Sequence, residues 1–184
     1  MAVDFSALRQ SDFWKKKFRR AVEVRDTNGD GYISRADFDL VCDRCGKLNE
    51  SNPSHVERFT QYWRRIRDSF GLVDESVKFT YSEFEDKWIS AMKVLVEKGA
   101  IENMGASFFH VLDIDGDGFI SIEEWTTFYE VAGLDTAYAR ASFDAMDTNH
   151  DQKISEEEFM NYCMEYMYST ENKLNSAILY GPLD

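Results

Sequence analysis

Apolar residues recur at three- and four-residue steps in eight stretches of the chain, the spacing of helices that each bury one face. Phe13, Phe18 and Val22 form the first stripe, and Phe38, Val41, Cys45 and Leu48 the second. After a start signal at Asn52-Pro53-Ser54, Val56, Phe59, Trp63, Ile66 and Phe70 make the third, and Phe84, Trp88, Met92 and Leu95 the fourth. Phe108, Phe109 and Leu112 are followed by Trp125, Phe128 and Ala132, which stop at Gly133, a residue suited to a helix end. Phe143 with Met146, and then Phe159, Cys163 and Tyr166, complete the set. The pattern predicts an all-α fold of eight helices. A boundary near Lys98-Gly99 divides it into a first unit, residues 1–98, and a second, residues 99–184.

The polar segments between paired stripes repeat one template. In residues 113–124, Asp113, Asp115, Asp117 and Glu124 stand at positions 1, 3, 5 and 12, with Gly118 at 6 and Ile120 at 8. Alternate side chains aim oxygens at one centre, position 6 needs a positive φ, position 7 (Phe119) offers its main-chain carbonyl, and a Glu at 12 can bind through both oxygens. This resembles the calcium loop of an EF-hand, which holds a hard dication with six to eight oxygens.

Two further segments keep the template. Asp147, Asn149, Asp151, Lys153, Ser155 and Glu158 fill positions 1, 3, 5, 7, 9 and 12, with Gln152 where Gly is expected. A left-handed residue with a Cβ costs roughly 1–2 kcal/mol, enough to weaken the loop without removing a ligand. Nearer the N-terminus, Asp26, Asn28, Asp30, Tyr32, Ser34 and Asp37 occupy the same places. Asp37 is one methylene shorter than the usual Glu, which favours six-coordination and lets Mg²⁺ compete with Ca²⁺ at this first site. The remaining interval, aligned on Phe79 at position 8, has Leu72 at 1, Asp74 at 3, Ser76 at 5, Val77 at 6, Lys78 at 7 and Glu83 at 12. With only two good donors it is expected to bind nothing and to persist as structure. Ile33 with Phe79, and Ile120 with Ile154, would form short β-pairs joining the loops two by two.

Composition narrows the picture. The chain has 184 residues, 43% hydrophobic and 15% aromatic, enough for a sizeable core. Lys plus Arg number 21 against 34 Asp plus Glu, a net charge of −13 that argues against nucleic-acid binding through phosphates. The excess lies beyond residue 100, where Arg140, Lys153 and Lys173 are the only bases. Ten of the acids are the loop ligands just named, so the charge is mostly cation-binding apparatus.

No run is long and apolar enough to span a membrane, Met1–Asp12 lacks a signal core, and three cysteines fit reduced thiols. A cytoplasmic monomer is expected. Cys42 and Cys45 read as one turn of helix packing two small apolar groups. The basic run Lys15–Arg20 reads as the solvated face of the first helix. The seven methionines are scattered among 14 Phe, nine Tyr and four Trp, which favours permanent aromatic burial over an adaptable target groove.

Three active loops, an inactive second one, Asp37 at position 12 and the aromatic core together resemble the invertebrate sarcoplasmic calcium-binding proteins. Asp12-Phe13-Trp14, the stretch from Gly133 to Asn149 and the ending Tyr180-Gly181-Pro182-Leu183 look most like the annelid branch. The resemblance implies four EF-hands in two pairs packed into one compact body. It further implies a cytosolic Ca²⁺ buffer with Mg²⁺ competition, no enzyme activity and no required protein target, with Leu174, Ile178, Leu179 and Tyr180 capping the core. Coelenterate photoproteins and luciferin-binding proteins share the scaffold. Photoproteins hold their chromophore with a His after the last loop, and residues 159–168 contain none. A binder of an apolar ligand, or a calcium sensor that exposes a groove, stands as the alternative.

Overall fold

The computed structural model describes residues 3–171 and 177–183. Among these the helices are α1 (Phe5–Gln10), α2 (Asp12–Glu23), α3 (Arg35–Leu48), α4 (Pro53–Ser69), α5 (Tyr81–Glu97), α6 (Ile101–Leu112), α7 (Ile122–Ala132), α8 (Ala139–Met146) and α9 (Glu156–Tyr168). Four short strands lie between them: β1 (Tyr32–Ser34), β2 (Lys78–Thr80), β3 (Phe119–Ile120) and β4 (Ile154–Ser155). The helix absent from the periodicity is α1. Six residues with only Leu8 buried give no stripe, and the helix rests instead on Asp4, which accepts from the amides of Ser6 and Ala7.

Each loop hands over to its following helix by the same device. Ser34 with Asp37, Thr80 with Glu83, Ser121 with Glu124 and Ser155 with Glu158 form capping boxes, so the position-12 acid satisfies helix-start amides in all four hands. The strands pair antiparallel with Ile33 opposite Phe79 and Ile120 opposite Ile154. Ile33, Ile120 and Ile154 are fully buried. Gly133 ends α7 in the left-handed conformation, φ 72°.

Leu8, Trp14, Phe18, Ile33, Leu72, Phe84 and Trp88 share one core, and Trp125, Tyr129, Phe143, Phe159 and Tyr166 share another. The two are not separate. Ala21 of α2 joins the second core, and Val41, Cys45, Phe59 and Tyr62 pack with Val111 and Val131 between the halves. Helix α3 lies on α7, α4 on α6, and α2 on α9. Each large apolar side chain fully buried this way contributes about 1.5–3 kcal/mol.

Two expectations change. Leu48 is 49% exposed, at the frayed end of α3. The basic run is not simply a solvated face, because Lys17 is 1% exposed between the rings of Phe13 and Tyr166, with Nζ 3.4 Å from the Glu165 carbonyl it donates to. Burial lowers its pKa to about 8, against the pull of Glu165. Arg20 of the same run donates from Nε and Nη2 to the Tyr180 carbonyl at 3.0 and 2.9 Å, which ties the tail to α2. Leu179 and Tyr180 are buried there and Ile178 is partly buried, while Leu174 lies outside the described residues.

Candidate metal centres and central cavity

Loops one, three and four close on themselves through one set of hydrogen bonds. The position-1 acid accepts two amides from the far side of its turn. Asp26 takes Asp30 and Gly31 at 3.0 and 2.8 Å, Asp113 takes Gly116 and Gly118 at 2.8 and 3.1 Å, and Asp147 takes Asp151 and Gln152 at 3.2 and 2.9 Å. Positions 3 and 5 each accept from the amide two residues on: Asn28, Asp115 and Asn149 from Asp30, Asp117 and Asp151, and these in turn from Tyr32, Phe119 and Lys153. These amides hold the oxygens on one concave side, as a cation that takes only oxygen donors requires.

The position-12 carboxylate spans the opening. Glu124 accepts from Ser121 with one oxygen, at 2.7 Å, and from Ile114 and Asp115 with the other, at 2.7 and 3.3 Å. Glu158 does the same with Ser155 and with Thr148 and Asn149. Burial opposes its charge, yet the donors of Ser155, Thr148 and Asn149 outweigh that and hold its pKa below the usual range. Asp37 accepts from Ser34 but reaches only Asn28 across the loop, at 3.2 Å. Burial pushes its carboxyl above the usual range despite those bonds.

The donor sets suit a hard dication, most fully in loop three. There the carboxylates of Asp113, Asp115 and Asp117 bring one oxygen each within 4.8 Å of one another, the one such acidic triplet among the described residues. In loops one and four the middle member is Asn28 or Asn149, so two acids converge and the position-12 group faces amides. Tyr32, Phe119 and Lys153 lie in or beside the strands and would contribute main-chain carbonyls.

Loop two keeps the position-3 turn and the position-12 cap of the others and departs elsewhere. Leu72 is fully buried in the core, Val77 has no left-handed backbone, Asp74 accepts only from its neighbour Ser76, and Glu83 only caps Thr80. Those bonds hold Asp74 and Glu83 below their ordinary pKa values. Neither carboxylate reaches across the loop.

The family model for an EF-hand domain pair matches residues 103–164, and a single EF-hand model matches residues 25–41. The sarcoplasmic calcium-binding protein of Perinereis vancaurica tetradentata is 30% identical over 94% of this chain and 99% of its own. The chain belongs to the EF-hand family. It is also 26% identical to the luciferin-binding protein of Renilla reniformis, over 91% of this chain and 93% of that one. The coelenterazine-binding protein of Renilla muelleri, in its calcium-loaded apo form, superposes with a TM-score of 0.74 at 25% identity, covering 97% of this chain and 96% of that chain.

Three features of the EF-hand loops escaped the sequence reading. His150, at position 4 of loop four, has φ 61° beside Gln152 at 66°, where loops one and three place Gly29 and Gly116 at position 4. Aligning the repeats at position 4 would have exposed it. The Tyr81 hydroxyl, in the hand of loop two, donates to Asp26 at 2.7 Å. Burial and that bond push the phenol up to about 12. Lys153 reaches from loop four to Asp117 of loop three, 3.4 Å away, with its ammonium 4.7 Å from the centre of the Phe119 ring. Both contacts cross a β-pair, a relation that position-by-position reading of single loops does not contain.

Between the halves lies a cavity of about 180 Å³ walled by α3 to α7, α9 and the tail. Met92, Met104, Met160, Met164 and Met167 all line it, five of the seven methionines in the chain. Scattered in sequence, they are gathered in space. Arg25, Thr27 and Asp37, from the first EF-hand loop and its edge, line the same cavity.

Proposed function

We propose that this EF-hand protein binds three divalent cations, at loops one, three and four. Asp26, Asn28, Asp30, Tyr32 and Asp37 serve the first site, Asp113, Asp115, Asp117, Phe119 and Glu124 the second, and Asp147, Asn149, Asp151, Lys153 and Glu158 the third. The observation that carries this is the shared scaffold of amide-oriented oxygens in these loops, of which loop two keeps only the Asp74 turn. The short reach of Asp37 supports Mg²⁺ competition at the first site. The likeness to the Perinereis protein, together with lobes packed through α3, α4 and α2, supports a cytoplasmic monomeric buffer of the sarcoplasmic type, built from an N-terminal pair (1–98) and a C-terminal pair (99–184) and requiring no protein target. Each site at 100-fold excess over its Kd adds about 2.7 kcal/mol, so Ca²⁺ should raise the melting temperature strongly. A surface-probing dye separates this reading from a sensor: its signal stays flat or falls with Ca²⁺ in a buffer and rises steeply in a sensor.

The cavity favours a second reading, a carrier of a small apolar ligand, in line with the likeness to the Renilla binding proteins. Methionine walls adapt to a guest. Because Asp37 and Thr27 belong to both loop one and the cavity, cation and guest would change each other's affinity by the same factor. Among the described residues no histidine lines the cavity, which disfavours photoprotein-like oxygen chemistry. A Ca²⁺ titration that is unaltered by any cavity guest would remove this reading and leave the buffer.

A further inference from the structure

We infer that the central cavity selects a small apolar acid, with the anion held by Arg25; this rests on the carrier reading above. Buried polar atoms are nearly always hydrogen-bonded, and each exception needs a reason. Three of the exceptions belong to residues that line this one cavity: Arg25 Nε, Trp63 Nε1 and Trp88 Nε1. All three are N–H donors, none is an acceptor, and the tryptophan nitrogens can never accept. These donors favour a guest that brings acceptors.

The charge comes from Arg25. Its guanidinium lies 4.0 Å from the centre of the Trp88 ring, donates to the Ala21 carbonyl and meets the Tyr180 hydroxyl, a neutral partner. No carboxylate lies within ion-pair distance of it among the described residues. Asp37, the acid in the same wall, has its oxygens engaged by Ser34 and Asn28 instead. No acid among the described residues pairs with this guanidinium, which leaves that place to the guest, and a carboxylate fits the guanidinium fork in two parallel bonds. Apart from the hydroxyls of Thr27, Ser69, Tyr62, Tyr168 and Tyr180, the rest of the wall is apolar: Phe38, Phe70, Phe108 and Phe159 stand with the five methionines.

Size narrows the class. A dry cavity of about 150 Å³ holds benzene, while sites for drug-sized ligands run to about 300–1,000 Å³. A cavity of about 180 Å³ with yielding methionines suits one or two rings, or a short aliphatic chain, carrying a carboxylate.

The test is calorimetry and tryptophan emission on the full chain, in chelator and in saturating Ca²⁺, with 2-naphthoate and with 2-naphthalenemethanol, its neutral counterpart of similar size. The expected result is one naphthoate bound at least about tenfold more tightly than the alcohol, the size of one charge-assisted hydrogen bond. In Arg25→Met that preference should vanish, while Trp88→Phe should keep it at lower affinity. Equal binding of acid and alcohol would overturn the anion selection and leave the carrier reading intact. Binding of neither in either cation state would remove the carrier reading itself. An acid preference that survives Arg25→Met would overturn the assignment to Arg25. Arg25→Gln, which keeps a donor without the charge, decides the same point where the methionine variant does not melt cooperatively.

Discussion

At the scale of single residues, the loops hold both their strength and their weak points in a few side chains. Loop four carries two left-handed residues with a Cβ, His150 and Gln152, both exposed and both where loop three has glycine. Gln152→Gly should therefore tighten that site by about 1 kcal/mol, the strain relieved less the entropy a glycine adds to the unfolded chain. A Ca²⁺ titration should show a gain of roughly fivefold in one site only. Tyr81→Phe removes the donor that orients Asp26 and should weaken loop one by about tenfold, in keeping with outer-sphere partners at metal sites, while loops three and four are untouched. Gln152 was legible in the sequence because glycine at position 6 is part of the repeat. Tyr81 was not, since its role depends on which loop lies across the β-pair.

At the scale of elements, one four-residue device, Ser or Thr at position 9 with an acid at 12, recurs in all four hands whether or not the loop retains its other ligands. This explains how loop two kept its shape while losing its cation donors: Glu83 still caps α5, and Phe79 still pairs with Ile33. Leu72 has turned the first ligand position into core. Leu72→Asp should not create a fourth site, because Val77 lacks the left-handed turn and Glu83 does not cross the loop. It should instead cost about 3 kcal/mol or more by placing a carboxylate in a packed core, seen as a lower melting temperature with unchanged Ca²⁺ stoichiometry. The elements themselves were legible because stripes of ten or more residues dominate local propensity. Helix α1 was not, for a helix of six residues with one buried side chain has no period to detect.

At the scale of the whole molecule, packing of the halves decides features that no local pattern could contain. Lys17 belongs to a basic run by sequence and to the α2–α9 interface by structure. Its folded pKa, about 8, lies below the unfolded value of about 10.4. Protonated in both states below pH 8, it subtracts its full desolvation there; as pH rises from 8 towards 10 the folded state sheds the proton first and stability increases. The thiols of Cys42, Cys45 and Cys163 and, nearer pH 10, the phenols of Tyr62, Tyr162 and Tyr166 pull the other way over this range, because burial holds them above their normal pKa and the unfolded chain loses those protons first. Denaturant melts with excess Ca²⁺ should therefore show the stability of the wild type gaining on that of Lys17→Met as pH rises from 8 to 10; a constant difference between the two would contradict it. The gathering of five methionines round one cavity has the same origin, since α5, α6 and α9 contribute them separately.

The most direct test is a calorimetric Ca²⁺ titration of the full chain, repeated with Mg²⁺ at millimolar concentration. The prediction is three sites, with Mg²⁺ weakening one of them most, and that one abolished by Asp26→Ala. Two sites would show that loop one or the strained loop four does not bind, and four would show that Leu72 has been misassigned; either would contradict the reading of three working loops and one retained for structure.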